Sequence, residues 1–261
     1  MRDLTERISI VTGASSGIGR ATAIALARAG ANVALAARRE SLLQEVAEEI
    51  RALGRDALVF PMDVTDQRAA SQLVDHTLQR WGRVDIMVTC AGQYLRCPIR
   101  ELAPDVLRQS LEINFYGSVY PVLAVLPHML ARREGHIVLI TSVDGKKGLP
   151  PDAPYVVAKF ALSGFGDVLR QELHGSGVGV TVVFPGRVDT PLIADLEVPR
   201  ISAKIPPEVV ARAIVRAIRR RQAEVIVPFQ ARLLLLFNFL SPRLGDWAIR
   251  TFRLEGWPAR S

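Results

Sequence analysis

The residues best suited to chemistry are a tyrosine and a lysine four positions apart, Tyr155 and Lys159, with Ser142 thirteen residues before the tyrosine. In a helix this spacing places the phenol and the ammonium on one face, one turn apart. A free phenol has a pKa of about 10 and is a poor acid-base group near neutrality, but a nearby positive charge lowers that pKa. The pattern therefore predicts proton exchange with a reacting oxygen.

A glycine-rich turn near the start of the chain predicts a dinucleotide site. The run Thr-Gly-Ala-Ser-Ser-Gly-Ile-Gly at 12–19 follows an apolar run and opens a helix. Gly13 permits a tight turn, Gly17 lets the backbone approach a pyrophosphate, and Gly19 lets the helix pack closely on the strand. The N–H groups and the positive end of that helix would bind the phosphates. The expected contacts from this turn are Gly13, Ser15, Ser16, Gly17, Ile18 and Gly19.

Short β-branched runs alternate with helical stretches along the chain. The candidate strands are 7–12, 32–37, 57–61, 84–89, 136–141, 179–184 and 224–227. Helical periodicity fits 17–29, 41–53, 66–81, 104–131, 154–174 and 207–221. This alternation predicts a parallel sheet with helices on both faces. Ligands bind such sheets outside the carboxyl ends of the strands, and the glycine-rich turn and Ser142 both fall at such ends.

Together these motifs resemble the short-chain dehydrogenase/reductase family over about residues 5–228. The matching positions are Thr12–Gly19, Asp63, Ala91–Gly92, Asn114, Ser142, Tyr155, Lys159 and Pro185–Thr190. The resemblance implies an α/β fold: a single Rossmann-type, doubly wound domain with seven parallel strands in the order 3-2-1-4-5-6-7 and helices on both faces. We expect one domain over residues 1–261, with a basic and apolar C-terminal extension at about 229–261.

The resemblance also implies NAD(P)-dependent oxidation and reduction of CH–OH groups, with Tyr155 as the acid or base. Ser142 would donate a hydrogen bond to the same substrate oxygen. Lys159 would lower the pKa of Tyr155 and bond the nicotinamide ribose, and Asn114 would hold a water that links Lys159 to solvent. Thr190 would bind the nicotinamide carboxamide. The other cofactor contacts implied are Asp63, Val64, Ala91, Gly92, Pro185, Gly186 and Val188.

The end of the second predicted strand decides between the two nicotinamide cofactors. An NAD enzyme carries a carboxylate there, which holds the ribose 2′-hydroxyl. This chain has Ala37 at that position, followed by Arg38 and Arg39. Guanidinium groups suit a 2′-phosphate, so NADP is favoured over NAD. Glu40 is a carboxylate close to this position, but it sits where a helix begins, and a negative charge there is favoured by the helix dipole.

Composition argues against several other classes of protein. The net charge is +7, but the positive excess lies within residues 200–261, without a recognisable nucleic-acid-binding module, so we expect no nucleic-acid partner. The cysteines and histidines show no metal-ligand spacing, so we expect no metal. Free thiols are typical of a reducing cytoplasm, and Met1–Arg7 lacks the apolar stretch of a signal peptide. No run of about 20 apolar residues could span a bilayer. A cytoplasmic protein is expected.

The substrate is less clear from the sequence. The segment from Leu192 to Pro206 should cover the pocket with mainly apolar side chains, which favours a lipophilic ketone, aldehyde or alcohol. A 3-oxoacyl thioester, as used by the carrier-protein reductases of the family, is an alternative. A non-catalytic NADP-sensing or scaffold protein would be expected to lack the Ser, Tyr or Lys. A sugar-nucleotide epimerase or dehydratase would need a C-terminal substrate domain.

Two apolar surfaces predict partners for the chain. The helices at 104–131 and 154–174 carry more apolar residues than one face packed on a sheet requires, and by resemblance they pair with the same helices of another subunit. A homodimer or homotetramer is therefore expected.

Residues 229–253 combine the apolar run Leu233–Phe237 with flanking arginines. This segment suits a helix lying at a membrane surface, and it equally suits a lid over the substrate pocket or a subunit contact.

Overall fold

The computed structural model of the chain describes residues 3–258, so the predicted domain ends at 1–2 and 259–261 lie outside the described residues. Seven parallel strands form the main sheet in the order β3-β2-β1-β4-β5-β6-β8. They are β1 (Ile8–Thr12), β2 (Asn32–Ala37), β3 (Ala57–Pro61), β4 (Ile86–Thr89), β5 (Gly135–Ile140), β6 (Val178–Pro185) and β8 (Glu224–Val227). The predicted order is confirmed, because β8 is the seventh strand of this sheet. The short strands β7 (Leu196–Glu197) and β9 (Trp257–Pro258) pair antiparallel outside it.

Helices cover both faces of the sheet, as expected for a doubly wound domain. They are α1 (Gly17–Arg28), α2 (Glu40–Ala52), α3 (Gln67–Trp81), α4 (Pro104–Leu111), α5 (Gly117–Arg132), α6 (Ala153–Glu172), α7 (Pro207–Arg220), α8 (Ala231–Leu240) and α9 (Pro242–Phe252). One apolar core joins the sheet to α1, α2 and α7. A second core joins the opposite face to α3, α5 and α6. Because both faces are covered, β1 and β5 are buried along their whole length.

The helix predicted at 104–131 is interrupted in the structure, which corrects that expectation. A π-helical turn, Glu112–Tyr116, separates α4 from α5 and places Asn114 inside the protein. The Asn114 amide donates to the carbonyl oxygens of Ser110 (3.1 Å) and Gln93 (3.0 Å). Its Oδ1 accepts the Gln93 backbone N–H at 3.0 Å. These contacts hold the helix against the loop after β4, and π-turns of this kind are frequent at functional sites.

The chain ends in a helical hairpin, α8–α9, which we call the C-terminal hairpin. Its two helices meet at Ser241, and none of the α8 residues is buried. The following residues return to the body of the protein, where β9 pairs with β7 and the Trp257 indole donates to the Glu197 carboxylate. Among the helices of residues 3–258, none has the length and apolar character needed to cross a bilayer.

Candidate active site

A cavity of about 1270 Å³ opens at the carboxyl ends of the strands, where a parallel sheet is expected to bind ligands. All the residues that the sequence analysis assigned to catalysis or to cofactor binding line this cavity. The volume exceeds the roughly 300–1,000 Å³ of an ordinary ligand pocket, so there is room for a dinucleotide and a second molecule. The structure therefore brings the predicted residues together, while their individual roles stay predictions.

The glycine-rich turn has the shape that a pyrophosphate needs. Gly13 has a φ of +67°, and a Cβ on it would lie 2.7 Å from the backbone nitrogen of Ala91. A Cβ on Gly19 would lie 2.2 Å from the Gly13 carbonyl oxygen, so only glycine lets α1 approach β1 this closely. Ser16, at the N-cap of α1, makes no capping bond through its side chain, and the first turn of α1 carries no acidic residue. The turn thus fits an anion bound at the helix N-terminus.

Two arginines follow β2 at the rim of the same turn. Arg39 donates from Nη2 to the hydroxyl oxygens of Ser15 (3.1 Å) and Ser16 (3.0 Å). Arg38 lines the cavity nearer to Asp63. Hydrogen bonds from Thr65, above all from its backbone N–H, hold the pKa of Asp63 below its usual value, and the Arg38 charge adds to this effect. Asp63 is therefore an ionised acceptor at neutral pH.

The three residues expected to do the chemistry meet deeper in the cavity. Tyr155 and Lys159 lie on α6, and the Lys159 Nζ is 5.5 Å from the centre of the Tyr155 ring. Nζ also donates to the Ile140 carbonyl oxygen at 3.1 Å, at the end of β5. Ser142 lies two residues after the end of that strand. The α6 helix and the end of β5 thus carry the phenol, the ammonium and the hydroxyl to the floor of one cavity.

Burial dominates the electrostatics of this floor. It raises the pKa of Tyr155, and the nearby Asp144 charge raises it further. Burial also lowers the pKa of Lys159 to about 8. The spacing alone predicts that the Lys159 charge lowers the pKa of Tyr155, but in this structure burial raises that pKa. Tyr155 is consequently a neutral phenol at pH 7, the form that can donate a proton.

A polar network that the sequence motifs do not indicate lies beside Tyr155. The Tyr94 ring packs edge-on against Tyr155, with ring centres 5.0 Å apart. The Tyr94 hydroxyl donates to one carboxylate oxygen of Asp152, and Arg96 donates to the other at 2.9 Å. Arg96 also donates to the Glu255 carbonyl oxygen at 3.1 Å. Tyr94 and Arg96 follow Gly92 at the carboxyl end of β4, so the rule that located Gly92 could have indicated them.

The part of the cavity away from the glycine-rich turn is apolar. The segment after β6 contributes Leu192, Ile193, Leu196 and Ile201, as expected. The C-terminal hairpin and the residue after it add Leu233, Leu234, Phe237, Phe252 and Leu254. The hairpin therefore covers one side of the cavity, as the predicted lid would. Arg187 binds the Leu254 carbonyl and helps hold this end of the chain in place.

The family model described as short chain dehydrogenase matches residues 7–199, which include the glycine-rich turn, Ser142, Tyr155 and Lys159. A Drosophila melanogaster protein named "Dehydrogenase/reductase SDR family protein 7-like" is 33% identical over 275 aligned residues, covering 99% of this chain and 84% of the relative. An uncharacterized oxidoreductase of Staphylococcus saprophyticus is 36% identical over 222 residues, covering 84% of this chain and 94% of the relative. Another, from Bacillus subtilis, is 31% identical over 256 residues, covering 94% and 72%.

The chain belongs to the short-chain dehydrogenase/reductase family. It is an NAD(P)-dependent oxidoreductase. The family assignment made from the motifs is confirmed, and so is the class of enzyme.

Proposed function

We propose that the protein interconverts a lipophilic alcohol and the corresponding ketone or aldehyde, with NADP(H) as cofactor and Tyr155 as acid or base. This proposal rests on the observation that one cavity has two chemically different ends. Its glycine-rich end suits a dinucleotide and its other end is apolar. Ser142, Tyr155 and Lys159 lie at the floor between the two ends.

When bound, the nicotinamide supplies or accepts the hydride. Tyr155 gives its phenolic proton to the developing alkoxide in the reductive direction and takes a proton from the alcohol in the oxidative direction. Ser142 donates a hydrogen bond to the same oxygen as negative charge grows on it. The Lys159 ammonium stabilises the phenolate that forms. Asn114, held by Gln93 and Ser110, keeps the loop after β4 in place beside Lys159 and positions the water of the proposed proton path.

The preference for NADP rests on the two arginines after β2. Arg39 is held beside the phosphate-binding turn by its bonds to Ser15 and Ser16, where a ribose 2′-phosphate would come close. Ala37 is the cavity-lining residue at the end of β2, where an NAD enzyme would have its carboxylate. A pair of guanidinium groups without that carboxylate favours the phosphorylated cofactor.

The substrate proposal can be tested with ketones of increasing alkyl length and NADPH, followed at the nicotinamide absorbance. Burial of one CH₂ group contributes about 0.8 kcal/mol, so kcat/KM should rise about fourfold per buried methylene until the apolar end is full. Tyr155→Phe should retain the fold and cofactor binding but lose most turnover. Equal activity on short and long ketones would refute the lipophilic substrate. A clear preference for 3-oxoacyl thioesters would favour the alternative reductase.

We also propose a homodimer or homotetramer that pairs through α5 and α6. Both helices expose apolar side chains on the side away from the sheet: Leu123 (51%), Leu130 (39%), Val157 (42%), Phe160 (44%) and Val168 (53%). Contiguous apolar surface of this kind marks interaction sites in soluble proteins. The two helices adjoin the π-turn and the catalytic residues, so pairing would stabilise the elements that hold the site.

The C-terminal hairpin supports a further proposal, contact with an anionic membrane surface. Phe239 is 86% exposed, Leu240 65% and Trp247 52%, and none of these three lines the cavity. Exposed arginines surround them: Arg232, Arg243, Arg250 and Arg253. An apolar face with flanking cations is what a helix lying at a membrane surface requires.

Binding to vesicles would test this contact. We expect the protein to bind anionic vesicles, to bind neutral vesicles less, and to be released by salt. Replacing both Phe239 and Leu240 with serine should abolish binding without loss of activity in solution. Leu53→Ser, at an exposed position on the far end of α2, is the matched control. A protein that ignores anionic vesicles would leave the hairpin as a lid alone.

A further inference from the structure

A carboxyl group lies directly behind the catalytic serine. Ser142 donates from Oγ to the Oδ2 of Asp144 at 2.9 Å, and the backbone N–H of Asp144 donates back to the same Oγ at 3.1 Å. A hydroxyl has one hydrogen to give. While this bond lasts, the Ser142 hydrogen is directed at Asp144 and away from the oxygen of a substrate.

The turn that carries Asp144 has little room to move. It is a single 3₁₀ turn, Val143–Gly145, that packs against α6. A Cβ on Gly145 would lie 2.6 Å from the Ser163 Oγ and 2.8 Å from the Lys159 carbonyl oxygen. The second carboxyl oxygen of Asp144, Oδ1, is buried and has no hydrogen-bond partner within the described chain. The Asp144 carboxyl group is therefore held beside Ser142, and one of its two oxygens makes no hydrogen bond within the described chain.

Charged and titratable groups from several elements act on Asp144: Tyr94 in the loop after β4, Asp152, Tyr155 and Lys159 at α6, and Arg187 after β6. Burial, followed by the charge of Asp152, raises the pKa of Asp144 to about 7. The Ser142 hydrogen bond and the charges of Arg187 and Lys159 oppose this rise without cancelling it. Both protonation states are thus populated near neutral pH.

We propose that Asp144 is a positioning residue whose protonation state decides whether Ser142 can donate to the substrate oxygen; the proposal rests on the reaction proposed above. The ionised carboxylate holds the serine hydrogen. When Asp144 takes a proton from solvent, its own O–H donates to Ser142 Oγ, and the serine hydrogen is released toward the substrate oxygen. No bond to the substrate is made or broken in this step, and Asp144 does not exchange its proton during turnover.

The pH dependence of reduction tests this directly. In the wild type, kcat for carbonyl reduction should fall as pH rises through about 7, because Asp144 ionises and removes one donor from the oxygen. Loss of such a donor costs up to about 10²–10³ in kcat, and we expect at least a tenfold fall. Asp144→Asn supplies a permanent N–H in place of the acid, so its kcat should stay near the acid plateau across that range. The same fall in Asp144→Asn would overturn the proposal.

Two further variants separate positioning from a general loss of stability. Asp152→Asn removes the neighbouring negative charge and should move the ionisation to lower pH. Asp105→Asn is the matched control, since its side chain is 88% exposed on α4 and does not line the cavity, and it should give the wild-type profile. Circular dichroism and thermal unfolding check that each variant is folded.

An infrared titration of the protein without substrate gives a readout that does not depend on turnover. A protonated carboxylic acid should appear in the wild type as pH falls through about 7 and be missing from Asp144→Asn. Its carbonyl band should shift in Ser142→Ala, which lacks the hydroxyl partner. If no ketone is reduced but this band is present, the proposed function fails while the Asp144–Ser142 pair stands. Identical titrations of wild type and Asp144→Asn would refute the pair itself.

Discussion

Replacing the two arginines after β2 should remove the proposed preference for NADP. Arg39 already makes two hydrogen bonds to the phosphate-binding turn, and Arg38 lines the cavity without a hydrogen-bond partner in the described chain. A charge-assisted hydrogen bond contributes about 1.5–3 kcal/mol, and every 1.4 kcal/mol corresponds to about tenfold in affinity. Both side chains lie at the exposed rim, which screens their charge, so the lower half of this range applies. Each single alanine variant should weaken NADPH binding about tenfold and leave NADH binding nearly unchanged.

The assay is fluorescence titration of each variant with NADPH and with NADH, at low and at high salt. Added salt should weaken NADPH binding in the wild type, because it screens the attraction between the two arginines and the 2′-phosphate. The double alanine variant lacks these charges, so salt should affect its NADPH binding less. Arg38→Asp adds a repulsion and should shift the preference toward NADH further than Arg38→Ala does. Arg28→Ala, at the opposite end of α1, is the control. A wild type that binds the two cofactors equally, or arginine variants that keep the preference, would refute the reasoning.

Three other outcomes follow from the structure. Gly19→Ala should abolish cofactor binding in titrations, because its Cβ would meet the Gly13 carbonyl oxygen at 2.2 Å, whereas Gly164→Ala, at an exposed position of α6 with nothing within 4 Å, should bind normally. Val168→Asp should give monomers in analytical ultracentrifugation, and a wild type already monomeric at micromolar concentration would contradict the proposed pairing. Asp85→Ala should cost about 3–5 kcal/mol in the free energy of unfolding, since it leaves the Ile8 N–H and three arginines without their buried acceptor, while Glu134→Ala, 40% exposed, should cost under about 1 kcal/mol.

The sheet could be predicted from the sequence because both of its faces are buried. A strand covered on both faces reads as a short, nearly continuous apolar run, and glycine or polar residues mark its carboxyl end. The predicted strand at 136–141 therefore differs by only one residue at each end from β5, Gly135–Ile140. Because the carboxyl ends of parallel strands lie at one edge of the sheet, Ser142 and the glycine-rich turn could be assigned to the same edge. In the structure the predicted site residues line one cavity there.

Features that depend on contacts between distant segments could not be predicted in this way. The periodicity of 104–131 is helical throughout, whereas the π-turn accompanies hydrogen bonds between Asn114 and Gln93, twenty-one residues earlier in the chain. Arg96 donates to the carbonyl oxygen of Glu255, 159 residues later in the chain, and no local pattern marks that pairing. Short strands such as β7 and β9 lack the length that a two-residue period needs to be recognised.

The positions of the proposed catalytic groups could be predicted from the sequence, but their protonation could not. Spacing along α6 is sufficient to place Tyr155 and Lys159 side by side, and from that pair alone a lowered tyrosine pKa follows. The structure adds burial of the phenol and the carboxyl groups of Asp144 and Asp152, which together raise that pKa. Asp144 stands two residues after Ser142 in the sequence, but only the folded 3₁₀ turn shows that its carboxylate accepts the hydrogen bond of the Ser142 hydroxyl. The position of this site is thus a local property of the sequence, whereas its proton-transfer behaviour depends on the folded surroundings, and the pH profile of Asp144→Asn measures that difference.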